Sequence, residues 1–477
     1  MNLFFYLFVI LFPVAGGLAV YFLRGRKERY QKIAVLSVAL LTSAAVWALL
    51  FLPAEKMVLF DLGRGISIAF GMDGPSRIFC GLISLLWPGA VYYAFGYMAH
   101  ENRRNMFYCF YLISYGVTLG IALAANMMTM YLFYEMIMHT LSREAILASR
   151  KYLYFSLSGS AMAFIGLIFL LLCGGGTDFV YGGILGGQTV FSREVLLAVY
   201  FLTFCGFGVK SAVFPFHSWL PSASVAPTPV TALLHAVAVV KSGVFALIRL
   251  TYYSFGSDFI RGTWVQYAAV VMALFTILYG SSMALKRSHF KRRLAYSTAS
   301  NLSYIVFALL LLSPEGLAAA FLHFLFHAVT KITAFFCAGS VLHSTGREYV
   351  FELDGLGKKM PVTFAGFTVS ALSLAGIPVF CGFFSKWNIC QAAFACGDWL
   401  SVAGVAVLLI SALLTTVYMF TVFLRAFFSP FREGSVPVKE SCRQMLIPIV
   451  GYAAAILLLG IFSKPFYDLI FRLIFHS

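Results

Sequence analysis

The sequence predicts an all-α polytopic membrane protein of about fourteen transmembrane helices, with two inverted five-helix repeats that each hold a broken helix. Three observations predict it. The 477-residue chain is 61% hydrophobic and 11% charged, with mean hydropathy +0.89, whereas a soluble domain carries roughly 25% charged residues. Apolar runs of about 20 residues, the length that crosses a hydrocarbon core of about 30 Å, follow one another from end to end. Finally, Gly and Pro interrupt two of those runs at corresponding places, the sequence sign of inverted repeats around a mid-membrane site.

The runs lie near 2–23, 32–52, 76–98, 106–125, 126–142, 151–173, 195–215, 228–252, 264–285, 294–312, 316–342, 361–395, 401–428 and 446–470. The first is expected to be a retained helix, because more spans follow at once and no small-residue cleavage site closes it. The longest polar connections, Pro53–Pro75, Gly174–Glu194, Thr345–Pro361 and Phe428–Arg443, leave little room for a nucleotide site or a soluble module.

Net charge is +16, and its placement is uneven. With alternating loops, 22 of the 34 lysines and arginines fall on one side, including Arg24, Arg26, Arg103, Arg143, Lys291, Arg293, Arg347 and Arg425. Eight fall on the other: Lys56, Arg64, Arg77, Arg193, Arg249, Arg261, Lys464 and Arg472. The positive-inside rule puts the rich side in the cytoplasm and both termini outside, in a cell (cytoplasmic) membrane. The basic excess is thus a topology signal and partly a surface for anionic lipid, and nucleic acid is not an expected partner.

The first interrupted segment reads Phe204-Cys-Gly-Phe-Gly-Val-Lys210-Ser-Ala-Val-Phe-Pro215-Phe-His217-Ser-Trp219. The second reads Ala375-Gly-Ile-Pro378-Val-Phe-Cys-Gly-Phe-Phe-Ser-Lys386-Trp387. Proline removes a backbone hydrogen bond and breaks a helix. In a bilayer the freed groups must face protein or a wet cavity. The segments divide the chain into N-terminal helices at 1–105, a first repeat at 106–252, a second at 264–428, and a C-terminal loop and helix at 429–477.

Within these spans lie four lysines and a glutamate, each costly at bilayer depth by a few kcal/mol or more. Lys210 precedes the first break and either relays protons or snorkels toward the nearby interface. Glu135 sits midway along 126–142, where no snorkelling escape is expected, with Lys210 as its natural partner. Lys241 is central in 228–252 and expected to face a hydrated interior. His235, six residues earlier, points to another face and reads equally as a relay or a hydrogen-bond post. His323, His327 and Lys331 fall at i, i+4 and i+8, on one slowly drifting face. That stripe suits a proton wire, interhelical hydrogen-bonding glue, or haem ligation with a histidine from a second helix. Lys386 closes the series, with Trp387 hinting at an interface. His217 and His343, at span ends, are expected at the surface.

Nine scattered cysteines with no C-x-x-C spacing point to no iron–sulfur or zinc site. No phosphate loop, nucleophile elbow or dinucleotide fingerprint occurs, so neither a metal nor a cofactor is expected.

The run from Lys210 through Pro215, Trp219 and Pro221 to Thr228-Pro-Val-Thr-Ala-Leu-Leu-His235 resembles the signature of the antiporter-like subunits of respiratory complex I, Mrp sodium/proton antiporters and membrane-bound energy-converting hydrogenases. His323 to His343, Asp354 to Pro361 and Ser373 to Trp387 resemble it too, so the likeness covers about residues 75 to 430. It implies fourteen helices in two inverted five-helix repeats, and a coupling pair of Glu135 and Lys210. Lys241 would match the family's central lysine, His323, His327 and Lys331 its hydrated axis, and Lys386 its second broken-helix residue. The implied function is proton or Na⁺/H⁺ translocation within a multi-subunit membrane complex, beside further integral subunits. Tyr134 and Thr140-Leu-Ser-Arg143-Glu144 depart from the family pattern. The alternatives are a stand-alone secondary transporter of a small solute and a membrane redox enzyme binding haem or quinone.

Overall fold

Long apolar helices dominate the computed structural model, which describes residues 2–22, 27–53, 55–63, 65–99, 103–136, 146–174, 176–185, 190–224, 226–431 and 438–475. In chain order the first elements are α1 (Asn2–Phe22), α2 (Glu28–Leu50), the strands β1 (Met57–Asp61) and β2 (Ser67–Phe70), α3 (Gly74–Tyr97), α4 (Arg104–Ala122), α5 (Met127–Met136) and α6 (Ile146–Gly174). Then come α7 (Arg193–Lys210), α8 (Trp219–Ala223), α9 (Thr228–Ala236), α10 (Val239–Ile248), a π-helical stretch at 249–255, α11 (Ser257–Ile260), α12 (Trp264–Lys286) and α13 (Phe290–Leu310). The chain continues through α14 (Pro314–Thr345), α15 (Pro361–Ala375), α16 (Cys381–Cys396), α17 (Trp399–Phe428), α18 (Arg443–Ile461) and α19 (Ser463–Phe475). Among the described residues, ten segments are long and apolar enough to cross a membrane.

The 32-residue α14 is the axis, packed against α3, α9, α13, α15, α16 and α18. The segment Thr228–Phe255 is wholly enclosed. Helices α1, α2, α6, α12 and α17 bury only part of their surface and present leucine, phenylalanine and valine outward. A helix apolar all round is at home in lipid.

Both expected interruptions are present. After α7, residues 211–215 turn out of the helix before a short 3₁₀ turn and α8. Between α15 and α16, Gly376 takes φ +87°, which a side chain disfavours, and Pro378 follows.

Three features differ from the expectation. The run 228–252 is not one helix: it breaks between α9 and α10, where both Val237 N–H and Ala238 N–H donate to Leu233 O at 2.8 Å. The run 446–470 divides into α18 and α19. The connection Pro53–Pro75 holds an antiparallel hairpin that pairs Met57 with Phe70 and Asp61 with Ser67, so the fold is not purely helical. Of the 126–142 run, the structure describes a helix to Met136. Residues 137–145, with Thr140, Arg143 and Glu144, lie outside the described residues.

Candidate functional site: a buried line of amines and imidazoles

Helix α14 carries His323 and His327 one turn apart, their rings 5.7 Å apart and stacked. Lys241, in the first turn of α10, sets its Nζ 3.1 Å from His327 Nδ1. Both residues are buried, Lys241 completely. An ammonium only donates, so the facing Nδ1 must be unprotonated when Lys241 is charged. If the proton moves to the ring, Lys241 becomes a neutral amine and accepts. The pair can therefore exchange one proton without moving a heavy atom far.

At the other end of the histidine pair, His323 Nδ1 lies 2.8 Å from Ser385 Oγ on α16. The next residue is Lys386, whose Nζ donates to Leu374 O across the α15–α16 break. Its ammonium faces the Tyr304 ring at 5.5 Å, and that ring stacks on His323, also at 5.5 Å. A Cβ at Gly376 would meet Lys386 Cδ at 3.4 Å, an ordinary contact, so it is the turn's positive φ and not the lysine that calls for glycine. Lys386 is buried while neighbouring Trp387 is half exposed, so the amine does not reach the protein surface.

Lys331 leaves the histidine line. Steps of four residues drift by about 40° each on a helix of 3.6 residues per turn. By the second step the side chain faces α13, where Lys331 Nζ donates to Ser297 Oγ at 2.7 Å and Leu294 O at 3.2 Å. Tyr418 of α17 donates to the same Ser297 Oγ at 2.7 Å.

In the first half, Lys210 ends α7 and is fully buried, not snorkelling. Its Nζ donates to the Tyr134 carbonyl and stands 3.5 Å from the Tyr134 ring centre. The expected direct pairing with Glu135 is not made. Glu135 is half-buried near the end of described α5, and its Oε1 accepts from Ser160 Oγ at 2.5 Å. The geometric reason is that Tyr134, one residue earlier, turns its backbone oxygen toward α7 while Glu135 turns toward α6. No direct hydrogen bond joins Lys210 to Lys241 among the described residues.

His235 stacks on Phe335 with ring centres 4.5 Å apart. It lies in the last turn of α9 and Lys241 in the first turn of α10, so the break, rather than helical phase alone, separates them. His217 is buried against Phe214 and Tyr279, contrary to the surface position expected for it, whereas His343 is exposed.

Sequence reasoning missed several polar partners. Arg249, counted as a loop cation, is buried in the π-helical stretch. It pairs with Asp73 through Nη1–Oδ2 at 2.5 Å and Nη2–Oδ1 at 2.6 Å, and donates to Ser76 Oγ at 2.9 Å. The helix runs beyond residue 252, which carries Arg249 inside. Lys291 and Arg293 were also counted as loop cations; both are buried and donate to the carbonyls of Ala226 and Tyr418. A lone Asp73 in Asp73-Gly-Pro-Ser76 was a visible helix-start signal, and its side chain does cap α3. Nothing local announced its arginine partner.

The fold and this seam define a multi-pass membrane protein built around buried titratable groups. The chain belongs to the NADH:quinone oxidoreductase/Mrp antiporter transmembrane family, whose model matches residues 117–415. It is 32% identical over 405 residues to NADH-quinone oxidoreductase subunit N of Desulforudis audaxviator, covering 80% of each chain. It is 29% identical over 429 residues to Na(+)/H(+) antiporter subunit A1 of Staphylococcus aureus, covering 83% of this chain and 53% of that protein, so it spans about half that relative's length. Its fold is similar to a chain of the Mrp complex from Dietzia sp. DQ12-45-1b, with TM-score 0.85, 22% identity, and 100% and 98% of the two chains covered. It is also similar to a chain of an archaeal membrane-bound sulfane sulfur reductase, with TM-score 0.84, 22% identity, and 98% and 97% covered.

Proposed function

We propose that this chain is a proton (or Na⁺/H⁺) translocating, antiporter-like subunit of a multi-subunit membrane complex, working beside other integral membrane subunits. The observation that carries this reading is the buried run Lys241–His327–His323–Ser385, hydrogen-bonded at its two ends, stacked ring on ring between the histidines, and ending beside Lys386. Amines stand at both ends, imidazoles lie between, and the whole run is buried. His323 Nε2 and His327 Nε2 are buried without a hydrogen-bonding partner among the described protein atoms. Such groups are costly unless water reaches them, which supports a wet seam. An ionisable group at bilayer depth costs a few kcal/mol or more, so stability is a poor reason to keep these groups there.

In this reading a proton enters at Lys210, reaches Lys241, passes through His327 and His323, and leaves by Lys386. His235 and Lys331 tune the line through their charge, and Glu135 modulates Lys210. Residues 106–252 and 264–428 act as inverted repeats, one lysine at each break. Both termini lie on the side opposite the basic loops. Events in a neighbouring subunit drive the line electrostatically by shifting Glu135 and Lys210.

The test is Glu135→Ala and Lys210→Ala in the assembled complex. Each is expected to abolish coupled pumping, measured as proton uptake into vesicles, while subunit assembly stays near wild type. Unchanged flux in both variants overturns the reading.

A further inference from the structure

Lys241 has a second direction open to it. Arg249 lies eight residues further along the same segment, about 12 Å at about 1.5 Å per residue. Between them stands a stack of three phenyl rings, one each from α14, α3 and α10. Lys241 Nζ lies 4.8 Å from the Phe324 ring centre. Phe324 meets Phe79 edge-on at 5.2 Å, and Phe79 meets Phe245 at 5.0 Å. The Arg249 guanidinium follows, 5.0 Å from Phe245. All three rings are completely buried.

The far end of the stack is capped in layers. The guanidinium is also enclosed by the Phe179 and Tyr253 rings at 4.8 and 4.7 Å. It is held by the half-exposed Asp73. Outside it, the loop after α6 is laced onto the π-helical stretch: Val180, Gly182 and Ile184 N–H donate to the carbonyls of Tyr253, Tyr252 and Ser254.

We propose that Phe324, Phe79 and Phe245, capped by Arg249, form a dry seal that closes the short route from Lys241 to the Asp73 face and forces its proton sideways onto His327. The inference rests on the translocation reading above and adds what gives that path its direction. A proton moves along water or hydrogen-bonding groups, and phenyl rings offer neither. A hydrophobic constriction dewets, and the Arg249 guanidinium behind it, locked bidentately to the Asp73 carboxylate, closes the far end as a fixed plug. Arginine stays protonated at any working pH, so Arg249 keeps donating to Asp73 and the plug stays in place. The arrangement also explains why a guanidinium sits at the end of a lysine line without a place in it: no hydrogen bond from Arg249 points toward Lys241 among the described residues.

The experiment uses membrane vesicles bearing the assembled complex, with two separate readouts: decay of an imposed pH gradient without turnover, and coupled pumping. Phe79→Ala and Phe245→Ala open ring-sized gaps and are expected to speed the passive decay severalfold. Phe79→Leu keeps the site filled and apolar and is expected to leave the decay at wild type. Phe245→Tyr keeps the volume and adds a hydroxyl, so it raises the decay even if the alanine variants fail to assemble. Adding Lys241→Met to a leaking variant is expected to return the decay to wild type, because the proton source is gone. Wild-type decay in every assembled variant among Phe79→Ala, Phe245→Ala and Phe245→Tyr overturns the seal, and so does a leak that survives Lys241→Met. Full pumping by Lys241→Met alone instead overturns the translocation reading, whatever the leak measurements show.

Discussion

Lys241 and His327 meet across 3.1 Å with one proton between two bases, and burial makes that sharing consequential: neither can be resolvated by bulk water while the other holds the charge. The Asp73–Arg249 pair follows the opposite logic. It is bidentate and fixed, but its partners are unequally placed, Arg249 1% exposed and Asp73 41%. Removing Asp73's charge strands a sealed guanidinium, whereas removing Arg249 leaves a carboxylate that water can reach. Breaking a buried pair from the side that strands the charge costs about 3–5 kcal/mol. Asp73→Asn, which retains an acceptor for the α3 cap, is therefore expected to destabilise the protein by about that much. Arg249→Leu is expected to cost clearly less. Unfolding of the detergent-solubilised complex measures both, and equal losses would refute the asymmetry. None of this was legible around residue 249, since an arginine near the predicted end of a span reads as a loop cation. The lysines and histidines were legible because nothing in an apolar run excuses them. Ser385, Ser297 and Tyr418 were not, because a lone hydroxyl in a membrane helix carries no signal until its partner is known.

Helices α6 and α7 place Glu135's partner and Lys210 by close approach. A Cβ at Gly206 would stand 2.6 Å from Gly159 O, and one at Gly159 would stand 2.7 Å from Gly206 O. The contact is reciprocal and backbone to backbone, the small-residue packing that membrane helices use. Ser160, which holds Glu135, follows Gly159 directly, and Lys210 lies one turn beyond Gly206. Gly206→Val must push the helices apart, with an overpacking cost of about 1–3 kcal/mol. It is expected to lower the melting temperature and to reduce pumping, since Ser160 moves away from Glu135. Gly451→Ala on α18, where a Cβ meets nothing within 4 Å, is the control and is expected to change neither. Wild-type melting and pumping by Gly206→Val would show that the close approach is incidental. The breaks after α7 and between α15 and α16 were legible because proline and glycine write them into the chain. The break before Lys241 was not, since His235-Ala-Val-Ala-Val-Val-Lys241 has neither residue. Tertiary packing alone shifts two hydrogen bonds onto Leu233 O there. The β1–β2 hairpin was not legible either, since strands of five and four residues carry too few positions for a period to show.

Across the whole molecule, fold class and family were legible for one reason: a bilayer forbids irregular exposed backbone, so hydropathy fixes the spans and the remaining polar residues stand out. Sidedness rests on a subtler count. Taking buried Lys291 and Arg293 from the 22 cations of the rich side and Arg249 from the 8 of the poor side leaves 20 against 7. The asymmetry on which the proposed orientation rests survives the correction. It predicts that the start of α18 faces the cytoplasm, and Cys442, immediately before that helix, is an exposed thiol. With the other eight cysteines replaced by alanine, a membrane-impermeant thiol reagent is expected to label Cys442 in inverted vesicles and not in intact right-side-out cells. Cys396 is the internal contrast: it ends α16, one long helix and one connection earlier, so restored alone it is expected to react from the opposite side. The two labels together test the orientation independently of any transport assay. Labelling of Cys442 from outside, with Cys396 reached only from within, inverts the topology, and with it the direction in which the line from Lys210 to Lys386 would carry charge.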